Sequence, residues 1–146
     1  MHVINTFKIL LPGNLKAEAL VSDKALSFWG GVNAATGRIQ DVHHNLCGEV
    51  VTGKVLCIPY DRGSCSSSGV LIEMVKRETA PAAMLCLEAE PVLALGPLIG
   101  EKMYGRGMAL RNILMVDYKK ISTGDIITLG NDRIYIEKAD EINNSF

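Results

Sequence analysis

The sequence predicts a mixed α/β domain, and three observations carry that assignment. Two short apolar runs, "KVLCI" at residues 54–58 and "AAMLCL" at residues 82–87, read as buried strands. Between them Val70, Leu71, Met74 and Val75 recur at helical spacing. Near the end, "IITL" and "RIYIEK" flank a "GND" turn and alternate as a hairpin does.

Taken in order, the elements fit this class. The first third is rich in turns, and "AEALVS" (residues 17–22) alternates as a strand. Residues 28–49 carry four glycines and no helical period, which predicts an extended loop with short strands. Such a loop is long enough to ask for a functional reason. The strand at 54–58 leads into a serine-rich loop, then a helix from about Ser68 to Glu78, stopped before Pro81 because the residue preceding proline avoids the α region. Strand, loop, helix, strand is a βαβ unit, so the two strands should be parallel with a right-handed crossover. "EPVLALGPLIGEKMYG" (residues 90–105) predicts a second helix, with Pro91 in its first turn, Glu90 at its positive end and Gly105 as its stop. "NILMVD" (residues 112–117) is expected to be a third buried strand. The whole chain, 1–146, is expected to be one domain, with its core at about 8–138 and a frayed tail at 139–146.

Composition narrows the function. Apolar residues make up 48% of the chain, enough for a core, and the net charge of −1 argues against a nucleic-acid partner. No apolar run approaches the roughly 20 residues that span a bilayer. "FKILLPG" is too short for the core of a signal peptide, so a cytoplasmic protein is expected. The four cysteines form no C-x-x-C pair. Cys57 and Cys86 sit in apolar runs, where free cysteine behaves as a small hydrophobe; Cys47 and Cys65 lie in loops. No metal site is expected on this chain.

The densest chemistry lies in "PYDRGSCSSSG", residues 59–69. It separates a buried strand from a helix N-terminus, the place where open α/β sheets bind ligands and where free N–H groups attract anions. Arg62 offers a planar donor fork, Gly63 lets backbone approach a ligand, and Ser64, Ser66, Ser67 and Ser68 offer hydroxyls. One or two of these serines should serve as helix caps, but four exceed what a cap needs. The stretch matches neither a P-loop nor a nucleophile elbow. It reads as an anion-binding loop in which Ser64 or a neighbour is available for chemistry.

Three motifs in this order and spacing, "SF-GGV---TG-I-D--H", "GKVL-IP--RGS-S-SGVL-E" and "TAPAA", make the chain resemble the small subunit, or swivel domain, of the aconitase X family. The resemblance spans roughly residues 19–129. It implies an aconitase-type swivelling β/β/α domain with a βαβ core and a mixed sheet or partly open barrel. It also implies a hydro-lyase that dehydrates a β-hydroxy acid. The partner is a large catalytic subunit, which carries an iron–sulfur cluster or mononuclear iron; this chain alone should bind no cofactor and show no activity. The family's catalytic base matches Ser64, and the substrate-binding positions are Arg62, Gly63, Ser66, Ser67 and Ser68. Gly30, Gly31 and His44 are support candidates, with a loop-structuring hydrogen bond favoured for His44. Asp61, Cys65, Ser67 and Asn45 depart from the family's pattern.

The expected substrate is cis-3-hydroxy-L-proline, since a phosphate should want more positive charge than one Arg62 beside Asp61. The alternative is (R)-5-phosphomevalonate. Two other classes are a non-catalytic anion-binding or regulatory module that kept the swivel fold, and a phosphohistidine carrier using His44.

Overall fold

The computed structural model of the chain describes residues 2–60, 64–89 and 91–140, and only the backbone of residues 64 and 65. In chain order the elements are β1 (His2–Asn5), β2 (Lys8–Leu11), β3 (Leu15–Val21), the kinked turn α1 (Phe28–Gly31), β4 (Val32–Asn33), β5 (Arg38–Ile39) and β6 (Val55–Cys57). They continue with α2 (Ser64–Arg77), β7 (Ala83–Cys86), α3 (Pro91–Tyr104), β8 (Ala109–Asn112), the single turn α4 (Met115–Tyr118), β9 (Ile126–Leu129) and β10 (Arg133–Glu137).

Among the described residues eight strands form one curled sheet, a half-barrel, in the order β1-β10-β9-β3-β6-β7-β8-β2. The strands β3, β6, β7 and β8 are mutually parallel, with Cys57 opposite Leu85 and Leu85 opposite Arg111. The βαβ unit is therefore present, and a second one, β7-α3-β8, adjoins it. The closing hairpin is present as well: β9 and β10 pair antiparallel with Leu129 opposite Ile134. The link between β1 and β2 bridges the two edges of the sheet, since Thr6 N–H donates to Asp132 O (2.8 Å) and Phe7 N–H donates to Asn112 O (2.9 Å).

The parallel strands are buried on both faces, as such strands usually are. Inside the curl lie Ala19, Val55, Cys57, Leu85, Ile127 and Ile134. On the other face Leu20, Leu56, Met84 and Leu110 pack against Leu71 and Met74 of α2 and Leu93 of α3. The two helices pack on each other through small residues. A Cβ on Gly96 would stand 2.3 Å from Ser68 O, and one on Gly100 would stand 2.9 Å from Val75 Cγ1.

Four expectations need correction. The third buried strand is Ala109–Asn112, not residues 112–117. Arg111, in the middle of that strand, hides it, because a charged residue argues against a buried run. Its guanidinium in fact fills the mouth of the curl, donating to Thr6 Oγ1 (3.0 Å) and to the carbonyls of Gly13 (3.1 Å) and Gly130. Residues 114–116 are exposed. The first long helix begins at Ser64 rather than near Ser68, because its buried stripe is Ser67, Ser68, Leu71, Met74 and Val75 and opens with two serines. The serines thus form the first turns of α2 and not a loop. Finally, β1 brings residues 2–5 into the sheet ahead of the expected core at 8–138. In the expected frayed tail, Ala139 N–H is held by Asp125 Oδ1 at 3.1 Å, while residues 141–146 lie outside the described ones.

Candidate functional site

Because β3, β6, β7 and β8 run parallel, their carboxyl ends share one edge of the sheet. The connections there are cross-tied. Ser22 N–H donates to Cys57 O (2.8 Å), Leu26 N–H to Tyr60 O (3.4 Å), Leu87 N–H to Pro59 O (3.0 Å) and Ile113 N–H to Cys86 O (2.9 Å). Asn112, a buried polar residue, accepts the Ala89 N–H at 2.8 Å and so ties the start of α3 to the end of β8. Both α2 and α3 begin at this edge and point the free N–H groups of their first turns at it.

Ser64 is the first residue of α2, at that edge. Arg62 and Gly63 lie outside the described residues. The remaining serines divide. Ser66 is exposed and shares a shallow depression of about 420 Å³ with Trp29, Ala34 and Glu73. Ser67 and Ser68 are buried, and Ser68 faces α3, where its hydroxyl donates to Val92 O. Their geometry serves the helix pair rather than an open loop.

His44 is buried, 5% exposed, and both ring nitrogens are engaged. Nδ1 accepts the Leu46 N–H at 3.1 Å, so the hydrogen sits on Nε2, which donates to Ser22 Oγ at 2.8 Å. Ser22 Oγ also accepts the Lys24 N–H (3.1 Å) and donates to Lys24 O. His44 thus folds the segment that follows β3. Gly30 has φ +78°, a left-handed conformation that favours glycine, and its carbonyl accepts from Gln40 Nε2 at 3.2 Å. Gly31 accepts the Gln40 N–H at 2.9 Å. The two glycines make the turn from α1 into the β4–β5 ribbon; Phe28 is buried beside them, while Trp29 is 66% exposed.

Sequence reasoning missed Ser22 and Tyr118. Ser22 is buried, and Tyr118 Oη donates to its carbonyl at 2.7 Å, which fastens α4 to the end of β3. Burial pushes the Tyr118 phenol up, helped by Cys57, Cys86 and Asp23 nearby. A small polar residue directly after a buried strand was the available signal for Ser22; nothing in "DYKK" marks Tyr118. Cys57 and Cys86 are both fully buried, and burial, reinforced by Cys86 and Asp125, pushes the Cys57 thiol up. A thiol held protonated in this way is neither nucleophile nor thiolate ligand. The described residues contain no group of three or more His, Cys, Asp or Glu side chains that could hold a metal ion. None of their helices is long and apolar enough to cross a membrane.

A half-barrel with two helices leaving one edge, and a serine opening the first of them, is the architecture of this domain. Residues 5–138 match the profile of the aconitase X swivel domain, and the chain belongs to that family. It is 44% identical over 116 residues to the phosphomevalonate dehydratase small subunit of Methanopyrus kandleri, covering 79% of this chain and 82% of that one. It is 40% identical over 103 residues to the cis-3-hydroxy-L-proline dehydratase of Pseudomonas aeruginosa, covering 70% of this chain but only 18% of that protein. The crystal structure of Thermococcus kodakaraensis aconitase X in its holo-form superposes with a TM-score of 0.83 at 27% identity, covering 94% of this chain and 100% of that one. The chain is a subunit of a dehydratase of the aconitase X type.

Proposed function

We propose that this chain is the small subunit of a two-subunit dehydratase that removes water from a β-hydroxy acid, with Ser64 abstracting the proton. The observation that carries the reading is the position of Ser64, the first residue of α2 at the carboxyl edge of the parallel strands. A serine hydroxyl is a weak acid, so a serine base needs its alkoxide stabilised. The unpaired N–H groups of the first turn of α2 and the positive end of its dipole supply that stabilisation, on the order of 1 kcal/mol for the dipole in an exposed setting and more once water is excluded. Arg62 and Gly63 precede Ser64 in sequence and Ser66 follows within the same turn; these hold the substrate's carboxylate or phosphate in this reading. The cross-ties of Ser22, His44 and Asn112 keep the surrounding connections in place. Closure against a large subunit excludes water from the edge.

The iron group that the resemblance implies finds no ligand set among the described residues. In this reading it belongs to the large subunit.

Phosphomevalonate is the favoured substrate, because the similarity to a phosphomevalonate dehydratase small subunit is 44%, against 40% for a hydroxyproline dehydratase. Cis-3-hydroxy-L-proline is the second reading, supported by the Asp61 that adjoins Arg62 in sequence and reduces the charge offered to a phosphate. Co-expression with a large subunit of the aconitase X family from the same organism, followed by anaerobic assay on both compounds, tests the choice. Turnover of phosphomevalonate alone is expected. Turnover of hydroxyproline alone replaces the substrate, and turnover of neither by an assembled complex leaves the non-catalytic module.

A further inference from the structure

We infer that the outer face of α3 is the seat on which the large subunit is held; this rests on the reading of the chain as a small subunit. α3 is apolar on two opposite sides. One side buries Leu93, Gly96, Pro97 and Gly100 against α2 and the sheet. The other leaves Leu95, Leu98, Ile99 and Met103 between 41% and 62% exposed, at the i, i+3, i+4, i+8 spacing of one helix face. A helix that is apolar on both sides belongs between two bodies, and among the described residues α3 has one beside it, formed by α2 and the sheet. Isolated exposed apolar residues are ordinary; a belt of four along one helix face marks an interaction site.

The chemistry of the belt selects a protein. Residues 91–100 contain no charged side chain, and Lys102 is the only basic residue of α3. A helix that lies on lipid carries a cationic flank, and this one does not. The large subunit is selected by continuity and by the relatives. α3 begins at the carboxyl edge that carries Ser64, so the belt runs on from the candidate site. In the hydroxyproline dehydratases this domain is 18% of one chain and is joined covalently to the rest. The small subunits, whose length this chain spans to 82%, need a surface to replace that link. A seat along α3 also leaves the edge near Ser64 free to open and close.

The test uses Leu95→Glu/Met103→Glu, two substitutions at exposed positions, with Val42→Glu as a control at an exposed position in the turn before His43. Folding is checked by circular dichroism and thermal melting, and each protein is titrated with the purified large subunit. The double variant is expected to keep the wild-type fold and lose affinity by about 100-fold or more, as loss of apolar anchors does, while Val42→Glu binds as wild type. Equal affinity of a folded double variant overturns the inference. So does a wild-type chain that sediments alone as a dimer and becomes monomeric in the double variant, which would make a second copy the occupant. If the wild type binds no large subunit at all, the functional reading fails first, and the two failures are thereby distinguished.

Discussion

The two long helices invite comparison. α2 and α3 have the same length, 14 residues, leave the same sheet edge and pack on each other, yet their outward faces differ in kind. α2 turns Ser66, Gly69 and an exposed Glu73–Arg77 pair (2.7 Å) outward, while α3 turns out leucine, isoleucine and methionine. On the readings proposed above, the face of α2 meets small polar molecules and that of α3 meets protein, so that one βαβ pattern used twice would provide a site and a seat side by side.

Glycine gives the sharpest way to break the comparison, because the same substitution should have opposite signs on the two helices. Gly96→Ala places a methyl 2.3 Å from Ser68 O, a backbone atom that cannot step aside. It is expected to destabilise by about 2–3 kcal/mol in urea melts, overpacking outweighing the gain in helix propensity. A stable Gly96→Ala protein would mean that the helices do not approach as closely as described.

The next effect lies outside the helix pair, where Asp125 closes the β3–β9 side of the sheet. Asp125 is 1% exposed and accepts from Lys138 Nζ (2.6 Å), Ser122 N–H (2.8 Å) and Ala139 N–H (3.1 Å). Burial raises its pKa, but the bonds from Lys138, Ser122 and Ala139 outweigh burial, and the net direction is down. A carboxyl whose folded pKa lies below its unfolded value contributes stability above the unfolded value of about 3.9, and that contribution disappears as pH falls through the folded pKa. Asp125→Asn should lower stability at neutral pH by roughly 2 kcal/mol and flatten the acid limb of the stability profile. An unchanged acid limb in the variant would remove Asp125 from that role.

The smallest effect is the counterpart on α2. A methyl at Gly69 meets nothing within 4 Å, so Gly69→Ala should stabilise by about 0.5–1 kcal/mol through helix propensity alone. Destabilisation there would show that this face of α2 is covered by something other than solvent.

The parallel centre of the fold was legible because strands buried on both faces write themselves as unbroken apolar runs, "KVLCI" and "AAMLCL". β8 was not, because Arg111 satisfies most of its guanidinium with Thr6 and two carbonyls that are distant in sequence. The edge strands β1 and β2 were missed for a related reason: exposed edges do not alternate cleanly, with three of the four residues of β1 exposed. At the site, the position of the serines could be read as a strand-to-helix junction, but their division into Ser66 outward and Ser67 and Ser68 inward could not. That division depends on where α3 packs. His44 and Ser22 are 22 residues apart, and only the folded turn brings Nε2 to Oγ.

The most direct measurement compares Ser64→Ala and Ser66→Ala in the complex assembled with the large subunit, assayed anaerobically on the substrate the wild type turns over. Loss of kcat by three or more orders of magnitude in Ser64→Ala is expected, with assembly intact and substrate affinity largely retained, since removal of an activated catalytic group typically costs about that much. Ser66→Ala should change KM far more than kcat. An assembled Ser64→Ala enzyme with wild-type kcat would contradict the role given to this residue and place the base on another group.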